Sequence, residues 1–119
     1  MTPEQRMRVV FDDLARDDMD ALISNWAEDG IYFNPAYGPA SEGKASVKST
    51  ISTMSTSLQG RGETLVIHRV TEILDSTPQR AYIEWHRETE ASKNGKLGLH
   101  VVEFNEEGLL HRVVVFAHA

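Results

Sequence analysis

The chain has 119 residues, 40% apolar and 25% charged, which is typical of one ordinary globular domain spanning residues 1–119. Its formal net charge of -6 argues against nucleic acid as a partner, and the lack of cysteine excludes disulfides, thiolate chemistry and cysteine-based metal sites. Because no signal segment opens the chain and no apolar run reaches membrane-spanning length, we predict a cytoplasmic protein that does not bind membranes.

The first half of the chain carries helical patterns. Thr2-Pro3-Glu4-Gln5 is a capping box with proline at the first helical position, so a helix is predicted to begin there. Asp17-Asp18 can cap a second helix, whose apolar stripe runs to Trp26. A short strand over 31–34 follows, and then a third helix that Gly60 closes.

The second half carries strand patterns, rich in β-branched and aromatic residues and broken by turn residues. The predicted strands are 65–74, 80–90, 96–105 and 109–118. A helical layer must bury its apolar stripes against one face of such a four-strand meander. We therefore predict an α+β domain in which three N-terminal helices pack on a curved antiparallel sheet and enclose an apolar pocket.

Turn chemistry predicts which strand residues face that pocket. Asn94-Gly95 favours a two-residue type I′ hairpin, which places Lys93 opposite Lys96 and Trp85 opposite Phe104. Side chains alternate between the two faces of a strand, and the mostly apolar face is taken as the inner one. The predicted inner face carries Ile83, Trp85, Arg87, His100, Val102, Phe104, His111, Val113 and Val115.

The opposite face of the predicted sheet also has apolar side chains. Tyr82, Val101 and Val114 expose more apolar area than a monomer usually tolerates, so we predict a homodimer through this outer face. The register of strand 80–90 has one alternative. A three-residue bulged loop at 93–95, in place of the two-residue hairpin, would turn Glu84 and His86 inward.

The order of elements and three segments of the chain resemble the nuclear transport factor two-like family, which includes ketosteroid isomerases, limonene epoxide hydrolases and SnoaL-like polyketide cyclases. The segments are Asp18-Met19-Asp20-Ala21-Leu22, Trp26 to Pro35, and Gly43-Lys44 at the start of the third helix. The resemblance extends over nearly the whole chain and implies a cone-shaped fold. It specifies the fold rather than the reaction, which must be argued from the site.

Carried over residue by residue, the resemblance is mixed. Ketosteroid isomerases have a proton-shuttling aspartate before the proline of the short strand, where this chain has Asn34, and an enolate-stabilising acid where it has His100. These departures argue against a steroid isomerase of the usual mechanism. Limonene epoxide hydrolases hold the attacking water with a Tyr-x-Asn pair, which Tyr32-Phe33-Asn34 matches. Their Arg-x-Asp appears here as Trp85-His86-Arg87, and their last-strand aspartate falls on Val115, so the acid–base half of that site is missing.

His100 is the leading catalytic candidate, because an imidazole exchanges protons near neutral pH and an apolar wall would keep it neutral as a base. Tyr32 and Asn34 are the other catalytic candidates, placed to hold a water or a substrate carbonyl. Each also has a structural interpretation: a buried histidine satisfying a nearby carbonyl or hydroxyl, a strand-end tyrosine, and an asparagine bonded to the following loop. The predicted substrate-binding residues are Arg87, Trp85, Trp26, Phe11, Val102, Phe104, His111, Val113 and Val115.

Charge and histidine spacing complete the expectations for the site. Arg87 on an inner face needs an anion, which a ligand carboxylate or enolate supplies, unless its side chain reaches solvent at the mouth of the pocket. The five histidines are isolated in sequence and show no metal-ligand spacing, so we expect neither a metal nor an organic cofactor.

Three functions remain open at this point. The first is a small-molecule enzyme that acts on a largely apolar substrate by cofactor-free general acid–base chemistry, of isomerase, cyclase, dehydratase or epoxide hydrolase type. The second is a ligand-binding domain with the same pocket and no chemistry. The third is a dimerisation module whose outer sheet face is the functional surface.

Overall fold

The computed structural model describes residues 1–93 and 95–117, which form three α-helices, one short 3₁₀ turn and six β-strands. The helices are α1 Pro3–Ala15, α2 Met19–Ile23 and α3 Lys44–Arg61, and the 3₁₀ turn is Pro35–Tyr37. The strands are β1 Trp26–Phe33, β2 Ser41–Glu42, β3 Thr64–Ile73, β4 Arg80–Glu88, β5 Leu97–Phe104 and β6 Leu110–Ala117. None of the helices in the described ranges is long and apolar enough to cross a membrane.

The strands form one sheet in the order β2-β1-β6-β5-β4-β3. Strands β3 to β6 make the predicted antiparallel meander. Strand β1 pairs with β6 in parallel, so the sheet is mixed rather than wholly antiparallel. The helices bury their apolar residues against the inner face, and the predicted α+β cone with its helical layer is confirmed.

The apolar stripe predicted that Trp26 lies in the second helix. Trp26 is instead the first residue of β1. Helix α2 ends at Ile23 because the Asn25 side-chain amide donates to the carbonyls of Ala21 and Leu22, both at 3.2 Å. Those carbonyls belong to the last turn, where no further helical N–H would satisfy them. The chain is thereby free to enter the sheet at Trp26, which is buried.

The register between β4 and β5 differs from the prediction by six residues. Trp85 lies opposite Gly98 rather than opposite Phe104. A connection over 89–96 replaces the predicted two-residue hairpin, and Asn94 itself lies outside the described residues. Because the shift is an even number of residues, the alternation of side chains is unchanged and Trp85 still faces inward.

The same parity settles the direction of the charged side chains on β4. Glu84 points outward and pairs with Arg69 of β3, while the His86 ring stacks on His68 with 5.6 Å between ring centroids. The alternative in which Glu84 and His86 line the pocket is therefore wrong.

The predicted inner-face position of His111 is also wrong. The register between β5 and β6 shifts between Glu103 and Phe104, so that Phe104 pairs with Leu110 and His111 is an extra residue. Such a bulge reverses the facing of the residues on one side of it. Leu110 consequently points into the core, and His111 lies near the surface with its Nε2 atom 3.3 Å from an Asp29 carboxylate oxygen.

Gly98 provides the space that the Trp85 indole occupies on the inner face. A Cβ atom built on Gly98 would lie 2.1 Å from Cζ2 of Trp85, far inside van der Waals contact. Any side chain at this position would push the ring away from β5. The absence of a side chain on Gly98 is therefore what allows an indole to lie across two strands here.

We expect Gly98→Ala to lower the free energy of unfolding by about 1–3 kcal/mol, the usual cost of overpacking a filled interior. Gly60→Ala is the matched control near the end of α3, because a Cβ built there would meet no atom within 4 Å apart from its chain neighbours and its own helix backbone. The control should leave stability unchanged or raise it by up to about 1 kcal/mol. Urea unfolding measures both, and equal midpoints for Gly98→Ala and the wild type would contradict the placement of the indole.

Candidate functional site

A cavity of about 310 Å³, here called the cone cavity, opens between α3, the 3₁₀ turn and the inner face of the sheet. Its lining residues are Asn34, Ala36, Tyr37, Met54, Leu58, Arg61, Leu65, Trp85, Arg87, His100, Val115 and Ala117. Its volume is at the lower end of the range for sites that bind small molecules.

The wall of the cone cavity contains a hydrogen bond between two aromatic side chains. Nε1 of Trp85 lies 2.7 Å from Nδ1 of His100, and both side chains are buried. An indole N–H can only donate, so Nδ1 of His100 must be an unprotonated acceptor. The proton of the neutral imidazole is then on Nε2, which hydrogen-bonds to no residue in 1–93 or 95–117. His100 thus presents an N–H donor rather than a free lone pair.

Burial lowers the pKa of His100 from 6.5 to about 3, because the charged imidazolium would lose its hydration in this apolar surrounding. The Phe11 ring contributes to that surrounding, packed edge-on at 5.1 Å between centroids. The imidazole is therefore neutral at pH 7, and its lone pair on Nδ1 is already engaged by Trp85. This geometry favours hydrogen-bond donation by His100 over the proton acceptance that its sequence position predicts.

Asn34 and Tyr32 are held in a network of their own. Nδ2 of Asn34 donates to the Tyr32 hydroxyl at 3.3 Å, and that hydroxyl donates to the Met54 sulfur at 3.5 Å. The Asn34 side-chain oxygen accepts the Ala36 backbone N–H at 3.1 Å and so caps the 3₁₀ turn. Burial raises the pKa of Tyr32 to about 12, which keeps the phenol neutral. Neither side chain is a base, and the network gives the cavity a rigid polar edge.

Two arginines and one glutamate stand together at the mouth of the cone cavity. Nε of Arg61, the last residue of α3, donates to Glu63, and Nε of Arg87 lies 3.9 Å from the other Glu63 oxygen. The hydrogen bond to Glu63 raises the pKa of Arg61, so this guanidinium stays charged. Arg87, expected to depend on a ligand anion or on solvent, has a protein carboxylate as its partner.

The structure brings some of the predicted site residues together and separates others. The predicted residues that line the cone cavity are Asn34, Trp85, Arg87, His100 and Val115. Those that line a second void of only about 20 Å³ beneath it, together with His100, are Phe11, Trp26, Tyr32 and Val113. Val102 and Phe104 are buried in the core, outside both linings, and His111 lies near the surface.

Sequence reasoning missed Arg61 and Glu63. They flank Gly62, which ends α3 in the left-handed conformation with φ 61°. A charged residue on each side of a helix-ending glycine was the available signal. It was not specific, because charges at helix ends are usually solvated and nothing local connects them to Arg87 on β4.

Comparison with known proteins identifies the fold. No family model matches the chain, and no curated protein matches it by sequence. A SnoaL-like family protein from Agrobacterium tumefaciens superposes with a TM-score of 0.72 at 21% identity, covering 98% of this chain and 95% of that one. An NTF2-like protein of unknown function from Cytophaga hutchinsonii has a TM-score of 0.74 at 12% identity, covering 99% and 91%. This chain has the nuclear transport factor two-like fold.

A third structure with this fold is that of SalBIII, an epoxide hydrolase/cyclase-like enzyme of pyran ring formation in polyether salinomycin. Its TM-score is 0.78 at 15% identity, covering 98% of this chain and 90% of that one. The nuclear transport factor two-like fold carries different activities in different proteins, so the reaction must be argued from this chain's own side chains.

The depressed pKa of His100 predicts how stability depends on pH. Between pH 6.5 and about 3 the unfolded chain binds a proton at this side chain that the folded chain does not. The contribution of His100 to stability is therefore fully present above pH 6.5 and decreases as the pH falls, by up to about 1.4 kcal/mol per pH unit.

Urea unfolding between pH 4.5 and 7.5 measures this effect. His100→Gln, which has no titrating group at this position, should show a shallower loss of stability on acidification than the wild type. Parallel curves for the two proteins would contradict a buried neutral histidine.

Proposed function

We propose that the protein is a cofactor-free enzyme for a small, largely apolar molecule, and that His100 donates a hydrogen bond from Nε2 to a substrate oxygen. The observation that carries this proposal is the 2.7 Å hydrogen bond from Trp85 to Nδ1 of His100 in the wall of the cone cavity. That bond selects the tautomer with a donor on Nε2. A preorganised donor stabilises negative charge that develops on an oxygen, as in enolate-forming isomerisation, cyclisation, dehydration or epoxide opening.

The surroundings of His100 support the proposal. Met54, Leu58, Leu65 and Val115 give the cone cavity an apolar wall that suits an apolar substrate. A hydrogen bond to a developing charge is also stronger where water is excluded. Similarity of fold to SalBIII, an epoxide hydrolase/cyclase-like enzyme, supports epoxide opening or ring closure as one form of this chemistry.

A non-catalytic ligand-binding domain is the second candidate, and one observation favours it. No carboxylate is among the described residues that line the cone cavity, and His100 cannot accept a proton near pH 7. The proposed enzyme would therefore transfer protons between groups of the substrate, or through water, instead of through a protein base.

Turnover of simple probes tests the proposed function. The probes are a β,γ-unsaturated cyclic ketone, followed by its ultraviolet absorbance on isomerisation, and a terminal epoxide, followed by diol formation. His100→Ala should lower turnover by about 10²–10³-fold, the usual effect of removing one oxyanion-stabilising donor. His86→Ala, on the outer sheet face, should leave turnover unchanged.

Trp85→Phe separates the positioning role of Trp85 from its packing, because the ring remains and only the N–H donor is lost. Turnover should fall less than in His100→Ala, and ¹⁵N NMR should show His100 in a mixture of tautomers. Binding of a probe to the wild type, seen by a change in tryptophan fluorescence, without turnover would favour the ligand-binding domain. Turnover by His100→Ala at the wild-type rate would contradict the proposal.

We also propose that the protein forms a homodimer through the outer sheet face. An open groove of about 620 Å³ lies there, and Leu97 and Phe116 on its edge are exposed. Arg69 and Glu84 stand on the same face, so a two-fold-related copy would meet it with opposite charges. In an enzyme, dimerisation would cover the apolar side chains exposed on the outer sheet face. The same interface would be the functional surface if the chain served only as a dimerisation module.

Light scattering at micromolar concentration should give a mass about twice the 13.3 kDa of one chain. Phe116→Ser should shift the mass toward that of one chain, because it removes exposed apolar area from the proposed interface. Arg8→Ser, on the solvent side of α1, should leave the dimer intact. A wild-type mass near 13.3 kDa would rule the homodimer out.

A further inference from the structure

The mouth of the cone cavity is built for a negative charge. Arg61 and Arg87 both line the cavity, and they come from the end of α3 and from β4. Glu63 is the carboxylate paired with both. Two guanidinium groups and one carboxylate leave a net charge of about +1 at the opening.

Glu63 does not use up the donors of these arginines. One of its oxygens accepts from Nε of Arg61, and the other lies 3.9 Å from Nε of Arg87, which is beyond hydrogen-bond distance. The Nη1 group of Arg61 donates to the Ser57 hydroxyl. In the part of the chain that the structure describes, no acceptor hydrogen-bonds to either Nη group of Arg87.

The exposed fractions of the three side chains show which of them is available to a ligand. Glu63 is only 13% exposed and Arg87 29% exposed, while Arg61 is 47% exposed. The carboxylate is therefore the most buried of the three groups and, of the two arginines, hydrogen-bonds to Arg61 alone, while Arg87 offers a partly desolvated fork of donors. Such a fork binds a carboxylate in two parallel hydrogen bonds, and the bonds are strong where water is limited.

We propose that the occupant of the cone cavity is a monocarboxylate with an apolar body, whose carboxylate binds Arg87 with help from Arg61. This inference rests on the proposed function, because it assigns the opposite end of the same molecule. A second oxygen, a carbonyl or an epoxide, accepts from Nε2 of His100, and the apolar body lies between the two. The net charge of about +1 matches a monoanion, and Glu63 repels a dianion such as a phosphate monoester.

Isothermal titration calorimetry tests this inference with matched probes. The probes are straight-chain acids of six to ten carbons with a ketone next to the terminal methyl group, each compared with its primary amide. The acid should bind about 10–100-fold more tightly than the amide, the range expected for hydrogen bonds to a charged group.

Three variants locate the effect. Arg87→Gln should remove the preference for the acid and leave the affinity for the amide unchanged. Arg112→Gln, which removes an arginine from the outer face, should keep the preference. Glu63→Gln should increase affinity for the acid and allow the corresponding alkyl phosphate to bind. A purely structural ion-pair cluster predicts the reverse, a loss of affinity for acid and amide alike.

The outcomes separate this inference from the proposed function. Equal binding of acid and amide to the wild type would overturn the carboxylate assignment and leave an occupied cavity, as the proposed function requires. An equal loss of affinity for the acid and for the amide in Arg87→Gln would overturn the carboxylate assignment as well. Failure of every probe to bind would overturn both the carboxylate assignment and the use of the cavity for small molecules.

Discussion

The hydrogen bond from Trp85 to His100 is the interaction on which the chemistry of the cone cavity depends. It joins two strands at residues that are not direct partners, since Trp85 lies opposite Gly98 and His100 lies opposite Ile83. The indole reaches the imidazole only because Gly98 has no side chain in its way. Once the bond is made, the tautomer of His100 follows from the chemistry of the indole N–H, which cannot accept. Burial then keeps the ring neutral, so a residue type usually associated with proton transfer becomes a fixed donor.

The cavity consequently has two polar ends of different character joined by an apolar wall. The deep end has the buried, neutral imidazole of His100. The mouth has the charged donors of Arg61 and Arg87, and Glu63 is the carboxylate that pairs with both. Between them the network of Asn34, Tyr32 and Met54 is satisfied internally and contributes rigidity rather than reactivity. A ligand with oxygens at both ends of an apolar body is complementary to this arrangement, and a uniformly apolar molecule would leave both sets of donors without acceptors.

The extent of agreement between sequence and structure depends on the range of each interaction. The inward facing of Trp85 and His100 was predicted correctly although the register was wrong by six residues, because alternation of side chains depends only on the parity of the shift. The prediction for His111 was wrong because a bulge adds one residue to β6 and so reverses the side-chain alternation there. The residue pattern of the strand did not indicate this bulge. Trp26 fitted a helical stripe, but the Asn25 amide ended the helix by capping carbonyls that the stripe itself does not reveal.

The sequence by itself determined the presence of three helices and of the four meander strands, the α+β class and the apolar character of the inner face. These properties follow from local periodicity, capping residues and composition, which act over a few residues. Only the tertiary structure decided that Glu63 meets Arg87 and that Trp85 donates to His100. Both contacts join side chains brought together by packing of separate elements. The protonation and charge of the site follow from that packing, because desolvation and hydrogen-bond direction depend on neighbours that lie far apart along the chain.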